Sequence, residues 1–116
     1  MNLKVHIFQK NVKVGDLKNN FIYFKKAYLK SVKDNVDLFL TPELYLSGYP
    51  PKDLLLRTDF LKKNLFFVNK IKSLSKNKKT TIVLGAPRKE KDKLFNSVLI
   101  ISNGKIIFKI DKSILP

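Results

Sequence analysis

Glu43 and Lys112 are the two residues of this 116-residue chain whose positions indicate chemistry. Glu43 follows an apolar run, residues 36–40, that predicts a buried strand, and Pro42 should end that strand because it has no N–H for a ladder hydrogen bond. A carboxylate at the end of such a strand can serve as a general base. From the residues alone, Glu43 is either a base or a surface acid, and Lys112 is either functional or one of many surface lysines.

The segment after Glu43 is predicted to turn around Tyr49. Gly48, Pro50 and Pro51 around it predict an ordered, non-helical turn, and Asp53 is placed to cap the helix that follows.

The run P-E-L-Y-L-S-G-Y-P-P-K-D-L-L-L-R, residues 42–57, resembles the glutaminase domain of glutamine-dependent NAD synthetases. That domain belongs to the nitrilase, or carbon–nitrogen hydrolase, superfamily, and G-Y-P-P-x-D-L is more specific to the NAD synthetase branch than P-E. Further resemblances are V-G-D-x-x-x-N at 14–20, G-x-P at 85–87, F-N-S at 95–97, with phenylalanine in place of the usual tyrosine, and K-x-x-L-P at 112–116. The resemblance as a whole extends from about residue 3 to residue 116.

The resemblance implies a glutamate–lysine–cysteine site. Glu43 would be the general base, Lys112 would stabilise the oxyanion, and Tyr49 would line the substrate pocket. In the family the nucleophilic cysteine lies beyond K-x-x-L-P, and this sequence contains no cysteine. We therefore predict that the chain alone does not hydrolyse glutamine.

The family resemblance also implies substrate and cofactors. Glutamine would be cleaved to glutamate and ammonia, which a separate synthetase domain uses, with ATP and magnesium, to amidate nicotinic acid adenine dinucleotide. No phosphate-binding loop occurs in this sequence, so no cofactor is expected in this segment, and no metal site is predicted.

Hydrophobic spacing predicts the element order β-α-β-α-β-β-β. The first helix begins after a capping Asp16, and Asn103-Gly104 predicts a hairpin turn. Gly85-Ala86-Pro87 predicts a chain break with close backbone approach, followed by a charged loop, 88–93. The predicted strands are 3–9, 36–40, 80–85, 98–101 and 106–110, and the predicted helices are 17–35, a short turn at 54–56, and 60–74.

This order corresponds to part of the family's four-layer α-β-β-α sandwich, an α/β fold. Residues 1–116 would form one incomplete carbon–nitrogen hydrolase domain. Apolar faces and strand edges would stay open, so we expect the remainder of the domain, a second polypeptide or self-association to cover them.

Charge and composition limit the other classes. The net charge of +15 suggests nucleic-acid binding as a possible function, but the lysines are dispersed and no nucleic-acid motif accompanies them. No apolar run is long enough to span a membrane, no secretory signal begins the chain, and a cytoplasmic location is expected. The single histidine, His6, is expected to pack within a strand.

Three alternatives stay open beside the glutaminase fragment. The first is a fragment of another carbon–nitrogen hydrolase that acts on a different amide. The second is a non-catalytic binding or assembly module, and the third is a basic nucleic-acid-binding domain. A cysteine encoded downstream separates the glutaminase fragment from the non-catalytic module, and a steep salt dependence of nucleic-acid binding would favour the nucleic-acid-binding domain.

Overall fold

The computed structural model describes residues 2–114, and these residues follow the predicted element order. The elements are β1 (Val5–Ile7), α1 (Leu17–Lys33), β2 (Leu38–Leu40), a 3₁₀ helix (Lys52–Leu56), α2 (Thr58–Leu74), β3 (Thr81–Glu90), β4 (Lys93–Ser102) and β5 (Lys105–Ser113).

The strands form a five-stranded sheet in the order β1-β2-β3-β4-β5. β1, β2 and β3 are parallel because a helical crossover joins each successive pair, whereas β3, β4 and β5 are antiparallel. The predicted hairpin turn is confirmed, since Asn103 (φ 48°) and Gly104 (φ 81°) both have the left-handed backbone of a type I′ turn. Because β1 and β2 are parallel neighbours, their carboxyl ends lie at the same edge of the sheet.

Both helices cover the same face of the sheet. Helical spacing places Phe24 and Tyr28 of α1 and Ile71 of α2 in the core, where they meet strand residues such as Phe39 and Leu84. Each of these five side chains is fully buried. The helix layer therefore holds the sheet from one side only.

Two predicted helix caps have different outcomes. Asp16 caps α1 as predicted, because its side chain accepts a hydrogen bond from the Asn19 backbone N–H at 3.3 Å. The prediction for Asp53 is wrong: it lies inside the 3₁₀ helix, and α2 begins after Arg57 without a side-chain cap.

The first two strands are shorter than predicted. β1 starts late because the Lys4 N–H bonds to the Asp37 carboxylate rather than to a strand backbone. β2 starts late because the Val36 N–H bonds back to the Ser31 carbonyl at the end of α1. Each strand therefore has three residues.

The predicted chain break at 85–87 and the charged loop at 88–93 are wrong, because β3 continues through Glu90 and turns directly into β4. Gly85 points its N–H at Thr41 and its carbonyl at Leu46, away from β4. Pro87, two residues later, has the same orientation, so its missing N–H interrupts no ladder bond with β4.

β5 is also longer than predicted, and it includes Lys112. Its pairing with β4 runs from Ser102 opposite Lys105 to Phe95 opposite Ser113, with one irregularity at Ile100 and Ile101. Lys112 was expected just after a strand. It lies within one, so the sheet itself sets its position.

The sheet face opposite the helices is apolar. We call it the outer face, and strand alternation assigns to it Val5, Ile7, Leu38, Leu40, Val83, Val98, Ile100, Phe108 and Ile110. Ile7, Phe108 and Ile110 are 62%, 58% and 55% exposed. An apolar surface of this kind typically marks an interaction site.

Neither helix in residues 2–114 combines the length and the apolar character that a membrane span requires.

Candidate active site

The segment that carries Glu43 lies directly on β3. A Cβ at Gly85 would stand 2.2 Å from the Pro42 carbonyl oxygen and 2.8 Å from the Leu44 backbone nitrogen. The close backbone approach predicted at Gly85 is thus confirmed. Only glycine leaves room for this contact, which holds Glu43 at the end of β2.

Buried hydrogen bonds fasten the same segment to α1. The Tyr45 hydroxyl donates to the Asn20 carbonyl at 2.6 Å, and the Asn20 amide donates to the Leu46 carbonyl at 3.0 Å. Burial raises the pKa of Tyr45 well above its ordinary value, so the hydroxyl stays a donor. The exposed Glu43 therefore projects from a segment whose neighbouring residues, Leu44 to Gly48, are buried.

Asn96 is the direct partner of Glu43. The Asn96 Nδ2 donates a hydrogen bond of 2.7 Å to Oε1 of Glu43, which joins β4 to the loop after β2. Sequence reasoning included Asn96 in the F-N-S motif but assigned it no role. The residue type gave little indication, because an amide does not titrate and its partner lies 53 positions away.

Lys112 is brought to the same place by the strand register. It lies directly opposite Asn96 in the β4–β5 ladder, and directly opposite residues project from the same face of a sheet. Glu43, Asn96 and Lys112 are thus gathered at one end of the outer face. Glu43 and Lys112 are not among the ion pairs that residues 2–114 form within 4.0 Å.

A charged network on the helix side of the sheet secures that register. Asp111, one residue before Lys112, accepts hydrogen bonds from Ser97 and from Arg88 Nη2, the latter at 2.7 Å. Glu90 lies 3.5 Å from the same guanidinium group. The Arg88 hydrogen bond lowers the pKa of Asp111, and Asp111 in turn raises the pKa of Arg88. These contacts link β3, β4 and β5 beside the Asn96–Lys112 pair.

A cleft of about 420 Å³ opens beside Glu43. We call it the Glu43 cleft; it is lined by Gln9, Lys10, Asn11, Val12, Pro42, Glu43, Tyr45, Gly48 and Tyr49. Tyr49 is 64% exposed there, so the structure brings this predicted residue to the Glu43 side of the molecule. Residues 9–12 form the other wall; the sequence predicted residue 9 as the end of the first strand and residues 10–12 as part of a loop, and it assigned none of them to a site.

His6 lies outside this arrangement. Its Nδ1 shares a hydrogen bond of 2.6 Å with the Ser31 hydroxyl, and its ring packs edge-on against Phe39. It is a packed strand residue, as predicted. No group of three potential metal ligands occurs within residues 2–114.

A parallel-to-antiparallel sheet with helices on one face, and with Glu43 and Lys112 at one end of its other face, defines an α/β protein whose candidate site lies on the open side of the sheet. The chain belongs to the carbon–nitrogen hydrolase family, whose model matches residues 4–116.

The relatives specify the branch. The chain is 32% identical over 114 residues to the glutamine-dependent NAD(+) synthetase of Thermotoga maritima, covering 98% of this chain and 20% of that protein. The solved structure of the glutamine-dependent NAD+ synthetase of Acinetobacter baumannii matches with a TM-score of 0.82 and 28% identity, over 98% of this chain and 21% of that one. The resemblance to the NAD synthetase branch is confirmed.

A more distant structure shows the shared fold. An amidase from Nesterenkonia sp. superposes with a TM-score of 0.79 at 16% identity, covering 95% of this chain and 42% of the amidase. The partial nitrilase-like fold is confirmed by these neighbours. The chain spans about one fifth of the length of the synthetases that it matches.

Proposed function

We propose that this chain is the N-terminal segment of a glutamine-hydrolysing domain that supplies ammonia to a glutamine-dependent NAD synthetase. The observation that carries the proposal is the β4–β5 register, which places Lys112 opposite Asn96, the residue bonded to Glu43. The similarity to the synthetases supports the choice of glutamine over other amides.

Glu43 acts as the general base. It takes the proton from a cysteine thiol, and the thiolate attacks the amide carbon of glutamine to form a tetrahedral intermediate. The Glu43 carboxylic acid returns that proton to the amide nitrogen as the C–N bond breaks, so that ammonia leaves and a covalent thioester remains. The carboxylate then activates the water that releases glutamate. Its place at the end of β2, beside the Glu43 cleft, gives a small amide access to it.

Lys112 stabilises the oxyanion of the tetrahedral intermediate. Its ammonium projects from the same sheet face as Asn96, and a cation held at a fixed strand position can stabilise charge that develops on the substrate. Tyr49, at the mouth of the Glu43 cleft, contacts the substrate.

The thiol comes from a polypeptide segment other than these 116 residues, which contain no cysteine. The outer face is where that segment docks, because its apolar side chains adjoin Glu43 and Lys112 and call for a covering layer. The layer is the remainder of the domain, and a second copy of this chain is the alternative occupant. ATP and magnesium act at a separate synthetase domain that uses the ammonia.

A hybrid enzyme tests the proposal. We would replace the matching stretch of the T. maritima synthetase with this chain and measure glutamate release from glutamine. The hybrid should be active, the Glu43→Gln variant should lose nearly all turnover, and the 116-residue chain alone should release no glutamate. Asp53→Asn is the matched control, since it neutralises an exposed acid of the same segment.

A folded hybrid without glutaminase activity would contradict the proposal, as would full turnover in Glu43→Gln. Cleavage of other amides in preference to glutamine would transfer the proposal to a different amidase.

A further inference from the structure

Among the hydrogen bonds of residues 2–114, the Asn96–Glu43 bond is the one that ties the side chain of the predicted base to a strand of the sheet. Glu43 itself is exposed and lies in the loop after β2, where a flexible carboxylate would sample several rotamers. Asn96 lies within β4, paired with Pro87 on one side and Lys112 on the other. Its backbone is therefore fixed by two neighbouring strands.

We propose that Asn96 is a positioning residue that orients the Glu43 carboxylate for proton transfer. The proposal rests on the function proposed above. The amide occupies Oε1 of Glu43 and leaves Oε2 to accept the thiol proton.

An asparagine suits this task better than a charged residue. Its amide donates at every working pH, because it neither gains nor loses a proton. A lysine in its place would form an ion pair with Glu43 and compete with the substrate, whereas an aspartate would repel the carboxylate.

The same residue also sets the spacing between base and cation. Because Asn96 lies opposite Lys112, the carboxylate that it holds and the ammonium share one reference point on the sheet. The hydrogen bond limits the rotamers that the Glu43 carboxylate can adopt relative to that reference point.

The hybrid enzyme supplies the test, with Asn96→Ala and Asn96→Asp compared with the unchanged hybrid. We expect Asn96→Ala to lower kcat by about 10- to 100-fold with little change in KM, since a hydrogen bond to a charged group is lost in the reacting complex. Asn96→Asp should lower kcat further. Asn103→Gly is the control: it removes a hydrogen bond of similar length, 2.9 Å to Asn77, at a residue with positive φ that glycine tolerates.

The outcomes separate this inference from the proposed function. If the hybrid is active and Glu43→Gln is inactive, an unchanged kcat in Asn96→Ala overturns the positioning role alone. A rise in KM equal to the loss in kcat/KM also overturns it, because the residue would then bind substrate rather than orient the base. Inactivity of the unchanged, folded hybrid contradicts the proposed function instead.

A second measurement does not depend on activity. In the 15N-labelled chain, the Asn96 side-chain amide resonance should shift in Glu43→Gln and stay in place in Asp53→Asn. If the chemical shift of the Asn96 side-chain amide does not change in Glu43→Gln, the hydrogen bond is absent in solution and the inference fails.

Discussion

The Gly85 Cα lies against the Pro42 carbonyl so closely that a methyl group at position 85 would stand 2.2 Å from the carbonyl oxygen. This contact seats the segment that carries Glu43 on the middle of β3. Backbone fills the space on that side, and backbone cannot move aside as a flexible side chain can. Position 85 is therefore a geometric requirement of the site as well as of the fold.

Gly85→Ala should destabilise the chain by at least about 1–3 kcal/mol, the usual effect of overpacking a buried position. It should also displace Glu43, because the atoms that must move are the Pro42 carbonyl oxygen and the Leu44 backbone nitrogen, on either side of Glu43. Urea unfolding followed by circular dichroism would measure the first effect.

Gly104→Asn is the control for this change. Its new Cβ would meet only the flexible side chain of Lys76, and asparagine tolerates the positive φ of 81° at that turn position. Equal destabilisation by the two variants would contradict the role assigned to Gly85.

Much of the fold could be predicted from local pattern. The helix stripes, the Asn103-Gly104 turn and the Asp16 cap are each determined by neighbours within a few residues, so their outcome matched the prediction. Pro87 led to a wrong prediction of a chain break. A proline interrupts a strand only where an N–H at its position would bond to a neighbouring strand, and β2 ends before it reaches Pro87.

For the candidate site too, local motifs indicated some residues, whereas a contact between distant parts of the chain was not predicted. Glu43 and Lys112 were proposed through motifs, and the family resemblance implied that they share a site. Asn96 was missed as a partner because its contact depends on a strand register formed by residues far apart in the chain. Its place in the F-N-S motif did not indicate this contact with Glu43.

Lys112→Met should lower kcat of the hybrid for glutamine by about 100-fold or more, since the oxyanion would lose its charged partner. Methionine keeps the length of the side chain, so the fold should be unaffected. Initial rates of glutamate release would measure the change, and Lys105→Met, an exposed lysine at the start of the same strand, is the control. If kcat falls only slightly, and equally, in Lys112→Met and Lys105→Met, Lys112 is a surface lysine without a catalytic role.

The stability of the chain should fall as the pH is lowered below about 4. Asp111 has a pKa below its ordinary value, chiefly through the Arg88 hydrogen bond, and the pKa of Asp37 is lowered chiefly by the Lys4 N–H. A lowered folded-state pKa stabilises the protein above the unfolded-state pKa of 3.8, and that stabilisation disappears as the pH falls through the folded value.

Asp111→Asn should therefore lower the free energy of unfolding at neutral pH, and the difference from the unchanged chain should shrink as the pH falls below 3.8, in unfolding experiments across that range. Asp92→Asn, at the exposed β3–β4 turn, should follow the unchanged chain throughout. A constant offset for Asp111→Asn at every pH would show that the ionised carboxylate is not the stabilising group.

The outer face should drive the 116-residue chain to self-associate when no other segment covers it. Replacing Phe108 and Ile110 with serine should shift the chain toward monomer in sedimentation velocity. Leu65 and Phe66 of α2 provide a matched control pair, because their exposures of 58% and 55% equal those of Phe108 and Ile110. Salt should strengthen the association, since the charge of +15 makes copies repel one another and ions screen that repulsion, whereas binding to a polyanion should weaken as salt rises. Equal effects of the two double variants would mean that apolar exposure in general, rather than the outer face, causes association.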